Sequence, residues 1–384
     1  MAAQGFAFED CPLKHYVRVK GWLPHCKARK RANADLGPSE QRRLRYFTFC
    51  AIGAIDVHML NIAKVISLSR EDKFDNVVFF DRETDAVLET QKRIPGAMGF
   101  PGNFIDVVLA NDPAATLAED HDYLAPPLDL QDEYSTRREQ LIYGQRRDFI
   151  KAFPFDIVNL DLEEFAFKAN DPFPGKVITA LRKLFEWQKN PLHAWPNRPK
   201  KSVCLDSFTL MFTTQIGPPN ISKEYTDMLR EYLEQNIASH SDLSGILHER
   251  IGATNVAALQ SDHFEDFFKL GVPKVLASLL LETDWYVDAD KGITTFAFKR
   301  NWTGGEYTML HFVMDVKRQE PPRQRRAPNS GHTAGAIDAY ASVVRRLFTQ
   351  GDLEVTNEIA SSIELKPSLE EIRACRRKYY PEDV

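Results

Sequence analysis

The chain has 384 residues and is 43% hydrophobic and 27% charged, with 25 Phe, 12 Tyr and 5 Trp. This is globular composition with a rich aromatic supply, which excludes a disordered, collagen-like or disulfide-stapled protein. The net charge of −5 excludes a global polycation that would hold nucleic acid over its whole surface.

The cysteines, Cys11, Cys26, Cys50, Cys204 and Cys375, are scattered and form no C-x-x-C pair. A reduced, cytoplasmic setting is expected. The first residues carry Glu9 and Asp10 and no long apolar core, so they do not read as a signal peptide. The longest apolar run in a helical context, Val275 to Leu281, falls far short of a membrane span, and a soluble protein is expected.

Residues 1–43 read as a basic N-terminal extension. Up to Arg45 there are ten bases (Lys14, Arg18, Lys20, Lys27, Arg29, Lys30, Arg31, Arg42, Arg43, Arg45) against four acids, interleaved with Tyr16 and Trp22. Such a segment suits phosphates and stacked bases, so nucleic acid is an expected partner through residues 14–45, with protein partners as an alternative. The plainer reading is a solvated N-terminal arm that packs on the domain. Cys11, His15, His25 and Cys26 invite a zinc reading, but their spacing fits a tetrahedral site poorly, and no metal is expected.

From Tyr46 the pattern alternates. Tyr46 to Ala51 reads as a buried strand and Ala54 to Ile66 as a helix. Phe74 to Asp81 reads as a second strand, Glu83 to Arg93 as a helix, and Phe104 to Leu109 as a third strand. Residues 110–133 hold seven acids and no Lys or Arg, as expected of a long acidic loop. Tyr134 to Ala152 is predicted as a basic helix, Phe155 to Asp161 as a fourth strand, Pro174 to Lys189 as an amphipathic helix and Ser202 to Met211 as a fifth strand. Residues 220–283 read as helical, broken at Ser239–Ser244, Gly252 and Gly271. Gly292 to Trp302 and Glu306 to Lys317 flank a hairpin turn signal, Thr303-Gly304-Gly305. A Pro/Arg/Gln linker, 320–330, precedes a helical tail.

This alternation predicts an α/β fold: a doubly wound, mostly parallel sheet with a C-terminal antiparallel hairpin, a helical insertion and a helical tail. The domain spans 44–318, the insertion lies at about 220–283, and residues 319–384 form linker and tail. Ligands of such sheets bind at the C-terminal strand edge. That singles out Ala51 to Gly53, Asp81, the segment after Leu109, and Asp161. A carboxylate at Asp81 offers lone pairs to two ribose hydroxyls, or it caps the next helix. The first turn holds one glycine, Gly53, with no G-x-G-x-x-G and no P-loop, so a ligand without phosphate suits it better.

The element order resembles the class I S-adenosylmethionine-dependent methyltransferase family over roughly residues 44–318. Phe80-Asp81 resembles the family's ribose-binding acid. Phe155-Asp156-Ile-Val-Asn159-Leu-Asp161 resembles its fourth-strand motif, and Gly102-Asn103-Phe104 stands where the family reads the adenine ring. The resemblance implies S-adenosylmethionine against Ala51, Gly53, Asp81, Asn103 and Phe104, with Asp161, Asn159 and Glu163 serving catalysis. Asp161, Glu163 and Glu164 also form an acidic cluster in which one pKa could rise, as a base requires; it could equally attract a substrate amine, a divalent ion or an arginine of the same chain, or be a solvated loop paired with Arg137 or Lys168.

Two departures favour a second reading, an inactive methyltransferase-like binding or scaffold subunit: the single glycine, and Asp161-Leu-Glu-Glu-Phe165 in place of a proline-rich tetrapeptide. A third reading, a magnesium-dependent nuclease, draws on Asp315-Val-Lys317 with Asp288 or Asp290. His311 is expected as a packed strand residue, and the Phe residues of 263–268 as core.

Overall fold

The computed structural model describes residues 11–36, 43–49, 55–68, 77–94, 97–110, 142, 144–162, 176–189, 205–216, 223–288, 293–302, 305–318 and 353–380. Ala51, Gly53, Glu163, Glu164 and Asp290 lie outside them, as do nearly all of the acidic stretch 110–133 and the linker 320–330.

The described chain is mixed α/β around a mostly parallel sheet. Helix α1 (Pro12–Tyr16) runs through a π-helical stretch, Val17–Trp22, into α2 (Leu23–Ala34). Then come β1 (Tyr46–Thr48), α3 (Ile55–Ile62), β2 (Val77–Asp81), α4 (Thr84–Arg93), β3 (Ala97–Pro101) and α5 (Phe104–Leu109). A helical turn ending at Lys151 leads to β4 (Ile157–Asp161), α6 (Lys176–Lys189) and β5 (Ser207–Ile216). Four helices follow: α7 (Lys223–Ser239), α8 (Ser241–Ile251), α9 (Val256–Asp262) and α10 (Phe264–Glu282). The chain continues through β6 (Trp285–Val287), β7 (Ile293–Trp302), β8 (Gly305–Arg318), β9 (Leu353–Glu354), α11 (Asn357–Ser361) and α12 (Leu369–Arg377).

The strand order is β3-β2-β1-β4-β5-β8-β7-β9, with β6 added on β8. The first five strands are parallel, and β8 inserts antiparallel between β5 and β7. Parallel neighbours need crossovers, which the intervening helices supply.

The two faces of the sheet differ in chemistry because successive side chains alternate. One face carries Phe47, Val78, Phe80, Val158, Leu160, Phe208, Leu210 and Phe212, in one core with α5, α6 and the helices α7–α10. Its rings interlock: Phe47 lies 5.2 Å from Phe155 and Phe80 lies 4.9 Å from Phe149. The opposite face mixes Tyr46, Ile157, Met211 and Val313 with buried Thr48, Asn159, Thr209, Thr213, His311 and Asp315. It packs with Tyr16, Val17, Trp22, Leu23 and Cys26 of the N-terminal helices, with α3, and with Ile372 and Tyr380 near the C-terminus.

The structure corrects three expectations. Phe104–Leu109 is the helix α5, and the third strand is Ala97–Pro101. Asn103 is the reason: its side chain accepts the Ile105 N–H and starts a helix. Gly99, which with Pro101 obscures β3 in the sequence, serves packing, since a Cβ there would stand 2.4 Å from Phe79 Cζ. Second, Gly271 does not break α10; it admits Leu229 of α7, whose Cδ2 would lie 2.8 Å from a Cβ there. Third, β5 runs five residues later than expected, because Thr213, Thr214 and Gln215 pair along β8 despite their polarity and carry the strand on to Ile216.

Candidate functional site at the strand edge

Three carboxylates or amides anticipated from sequence stand at the C-terminal strand ends. Asp81 closes β2, is partly exposed, and its Oδ1 accepts the Glu83 N–H at 2.8 Å. The Gly102 N–H donates to the Asp81 carbonyl at 2.8 Å, joining the ends of β2 and β3. Gly102 has φ +112, which glycine adopts without strain, and beyond its chain neighbours no heavy atom of the described residues lies within 4 Å of a Cβ built there. Asn103 is exposed and caps α5. Asp81, Gly102 and Asn103 thus stand together at the joined ends of β2 and β3. Phe104 does not join them, being buried among Phe47, Phe49, Phe80 and Phe149.

Asn159 is also removed from the edge. It is fully buried, and its Nδ2 donates to the Tyr46 hydroxyl (2.9 Å), Asp56 Oδ2 (3.2 Å) and Thr48 Oγ1 (3.4 Å). Tyr46 and Thr48 both donate to the same Asp56 oxygen. Burial, with Asp56 beside it, pushes the Tyr46 phenol well above its ordinary pKa, so it stays a donor. This network ties β1, β4 and α3 together and is structural in kind.

Asp161 ends β4 in a lateral row across the sheet: Asp161, Thr213, His311 and Phe296 are successive register partners on β4, β5, β8 and β7. The N-terminal helices lie over this row. Lys14 Nζ pairs with Asp161 Oδ2 at 2.5 Å, both side chains being mostly buried. Thr213 Oγ1 and His311 Nδ1 are hydrogen-bonded at 2.8 Å. Trp22 and Phe298 flank the imidazole at 6.1 and 5.1 Å between ring centroids, and the Arg18 guanidinium lies 6.0 Å from the Trp22 ring. Burial pulls Asp161 toward a higher pKa, but Lys14, His311 and Arg18 outweigh it and hold the carboxyl below its usual range. Asp161 is therefore an anion with a resident cation. In the sequence Lys14 and Arg18 belong to a cationic segment. Both are buried, whereas Lys20, Lys27, Lys30 and Arg31 remain exposed.

A second buried polar group fastens α2. Asp315 accepts from Thr209 Oγ1 (2.7 Å), pairs with His25 Nδ1 (3.1 Å) and lies 3.7 Å from Arg29 Nη2. Lys317 instead pairs with Asp288 at 3.0 Å. Of the residues in the nuclease reading, Lys317 and Asp288 are thus paired with each other, while the Asp315 side chain is engaged by Thr209, His25 and Arg29. Cys26 is buried, and its thiol is pushed far up by burial, then by Asp315 and Asp56. His15 donates through Nε2 to the Pro367 carbonyl at 3.0 Å. Among the described residues no group of three or more His, Cys, Asp or Glu is placed to hold a metal ion. Nor is any helix among them long and apolar enough to cross a membrane.

No protein-family model matches this chain, and no curated sequence matches it.

Proposed function

We propose that the chain is an S-adenosylmethionine-binding, methyltransferase-like protein. The observation that carries this reading is Asp81, a partly exposed carboxylate at the end of β2 whose carbonyl accepts the Gly102 N–H, next to the exposed Asn103. Five parallel strands joined to an antiparallel pair support it, since the resemblance implies that arrangement. Bound there, S-adenosylmethionine would supply a methyl group already activated on a sulfonium. Asp81 would grip the ribose hydroxyls, and Asn103 would border the base. The polypeptide then has little covalent work to do; holding the acceptor in line is enough.

The Lys14–Asp161 pair favours a second reading, a binding subunit without transfer, because the acid at the end of β4 already has a partner. Titration calorimetry with S-adenosylmethionine tests the first reading. Wild-type protein should bind, and Asp81→Ala should lose binding while remaining folded. Wild-type protein that stays silent at millimolar cofactor sinks it. Binding without S-adenosylhomocysteine formation, across RNA, DNA and peptide acceptors, selects the second.

Nucleic acid is the proposed macromolecular partner. The exposed cations Lys20, Lys27, Lys30 and Arg31 on the N-terminal helices support it.

A further inference from the structure

Lys14 is 4% exposed, and a lysine is seldom buried without cause. A buried ion pair is a weak source of stability, because desolvation offsets the attraction. This one also leaves loose ends. Asp161 Oδ1 is buried with no hydrogen-bond partner among the described residues, and the same holds for His311 Nε2 and Trp22 Nε1. His311 links the two: it stands two strands from Asp161 in the lateral row, with Thr213 between them, and its ring lies 6.1 Å from Trp22. A pair serving only stability would be expected to close those valences.

Position adds to this. Asp161 ends a parallel strand, on the edge where wound sheets receive ligands. Lys14 reaches it from a helix of only five residues, which continues into a π-helical stretch. π-Helical turns recur at functional sites. An ammonium has three donors, so it suits a carboxylate with unused acceptor capacity. Arg18 stands close by, so a further cation added beside Lys14 would be repelled. One ammonium exchanged for another leaves the local charge unchanged.

We propose that Lys14 is a tethered occupant of an amine subsite at Asp161, and that the ligand of this subsite is a primary amine on an aliphatic stem, which displaces it. The inference rests on the methyltransferase-like reading of the edge and names the class of its acceptor.

Lys14→Ala tests it, with n-propylamine as the probe. Propylamine should raise the melting temperature of Lys14→Ala, whereas propanol and propionate at equal concentration should not. The response should vanish in Lys14→Ala/Asp161→Asn. Wild-type protein should bind the amine at least about tenfold more weakly, since a tethered competitor holds the site. A folded Lys14→Ala protein whose melting ignores the amine overturns the proposal. If that variant does not fold, hydrogen exchange on wild-type protein decides. Amine should accelerate exchange of amides 13–17, and unchanged exchange refutes displacement. Cofactor titration in the same buffer separates the two ideas. An amine response without cofactor binding retires only the cofactor reading, and the converse retires only the subsite.

Discussion

His311 Nδ1 lies 2.8 Å from the Thr213 hydroxyl across the β5–β8 pair, and both side chains are wholly buried. Burial drives the His311 pKa from 6.5 down to about 3, with Lys14 and Arg18 adding to the fall and Asp161 opposing it. His58, buried against α12, falls from 6.5 to about 4, through burial and then Arg376. Both imidazoles are therefore neutral in the folded protein at pH values where the unfolded chain is already protonated. The unfolded state binds more protons in this window, so stability falls as pH drops from about 6.5 toward 3. Urea unfolding across this range should show that acid limb. His311→Gln or His58→Gln should flatten it; an unchanged slope in both would contradict the assignment.

The Tyr46, Asp56 and Asn159 network predicts a large cost for a small change. Tyr46→Phe removes one donor to a buried carboxylate and one acceptor from Asn159. A loss of about 1.5–3 kcal/mol is expected, as for hydrogen bonds to charged groups. Asn159→Leu should cost a similar amount, and the double variant less than the sum, because the partners are shared. Denaturant midpoints measure all three.

Gly21 lies in the π-helical stretch, and a Cβ there would come 2.6 Å from Phe296 Cε2. Phe296 is buried and also meets Tyr16 edge-on at 6.5 Å, so its ring has little room to withdraw. Gly21→Ala should lower stability by about 1–3 kcal/mol through overpacking. Since this contact seats the N-terminal helices, the variant should also raise exchange of the amides around Lys14. Unaltered melting would show that the ring yields freely.

Replacing Lys20, Lys27, Lys30 and Arg31 by Glu should abolish retention of nucleic acid in a low-salt filter assay. Retention by the wild-type chain should fall steeply with salt, as phosphate contacts release counterions. Equal retention by the variant removes nucleic acid as a partner through this surface. Charge reversal is the suitable change here, because deleting the segment would strip Trp22 and Cys26 from the core.

By itself the sequence determined the alternation of strands and helices and the acids Asp81 and Asp161 at strand ends. Short continuous apolar runs such as Val77–Phe80 bounded by an acid carry that information locally. It could not resolve Ala97–Pro101 against Phe104–Leu109, because a Gly and a Pro hid the strand and a cap decided the helix. Nor could it separate Asn159 from Asp161, which share a face two residues apart, one locked under a helix and the other at the edge. Only the tertiary structure turned Lys14 from one base among ten into the partner of Asp161, since that contact joins residues 147 positions apart. Burial and pairing over such separations depend on how whole elements dock, and local pattern holds no record of docking.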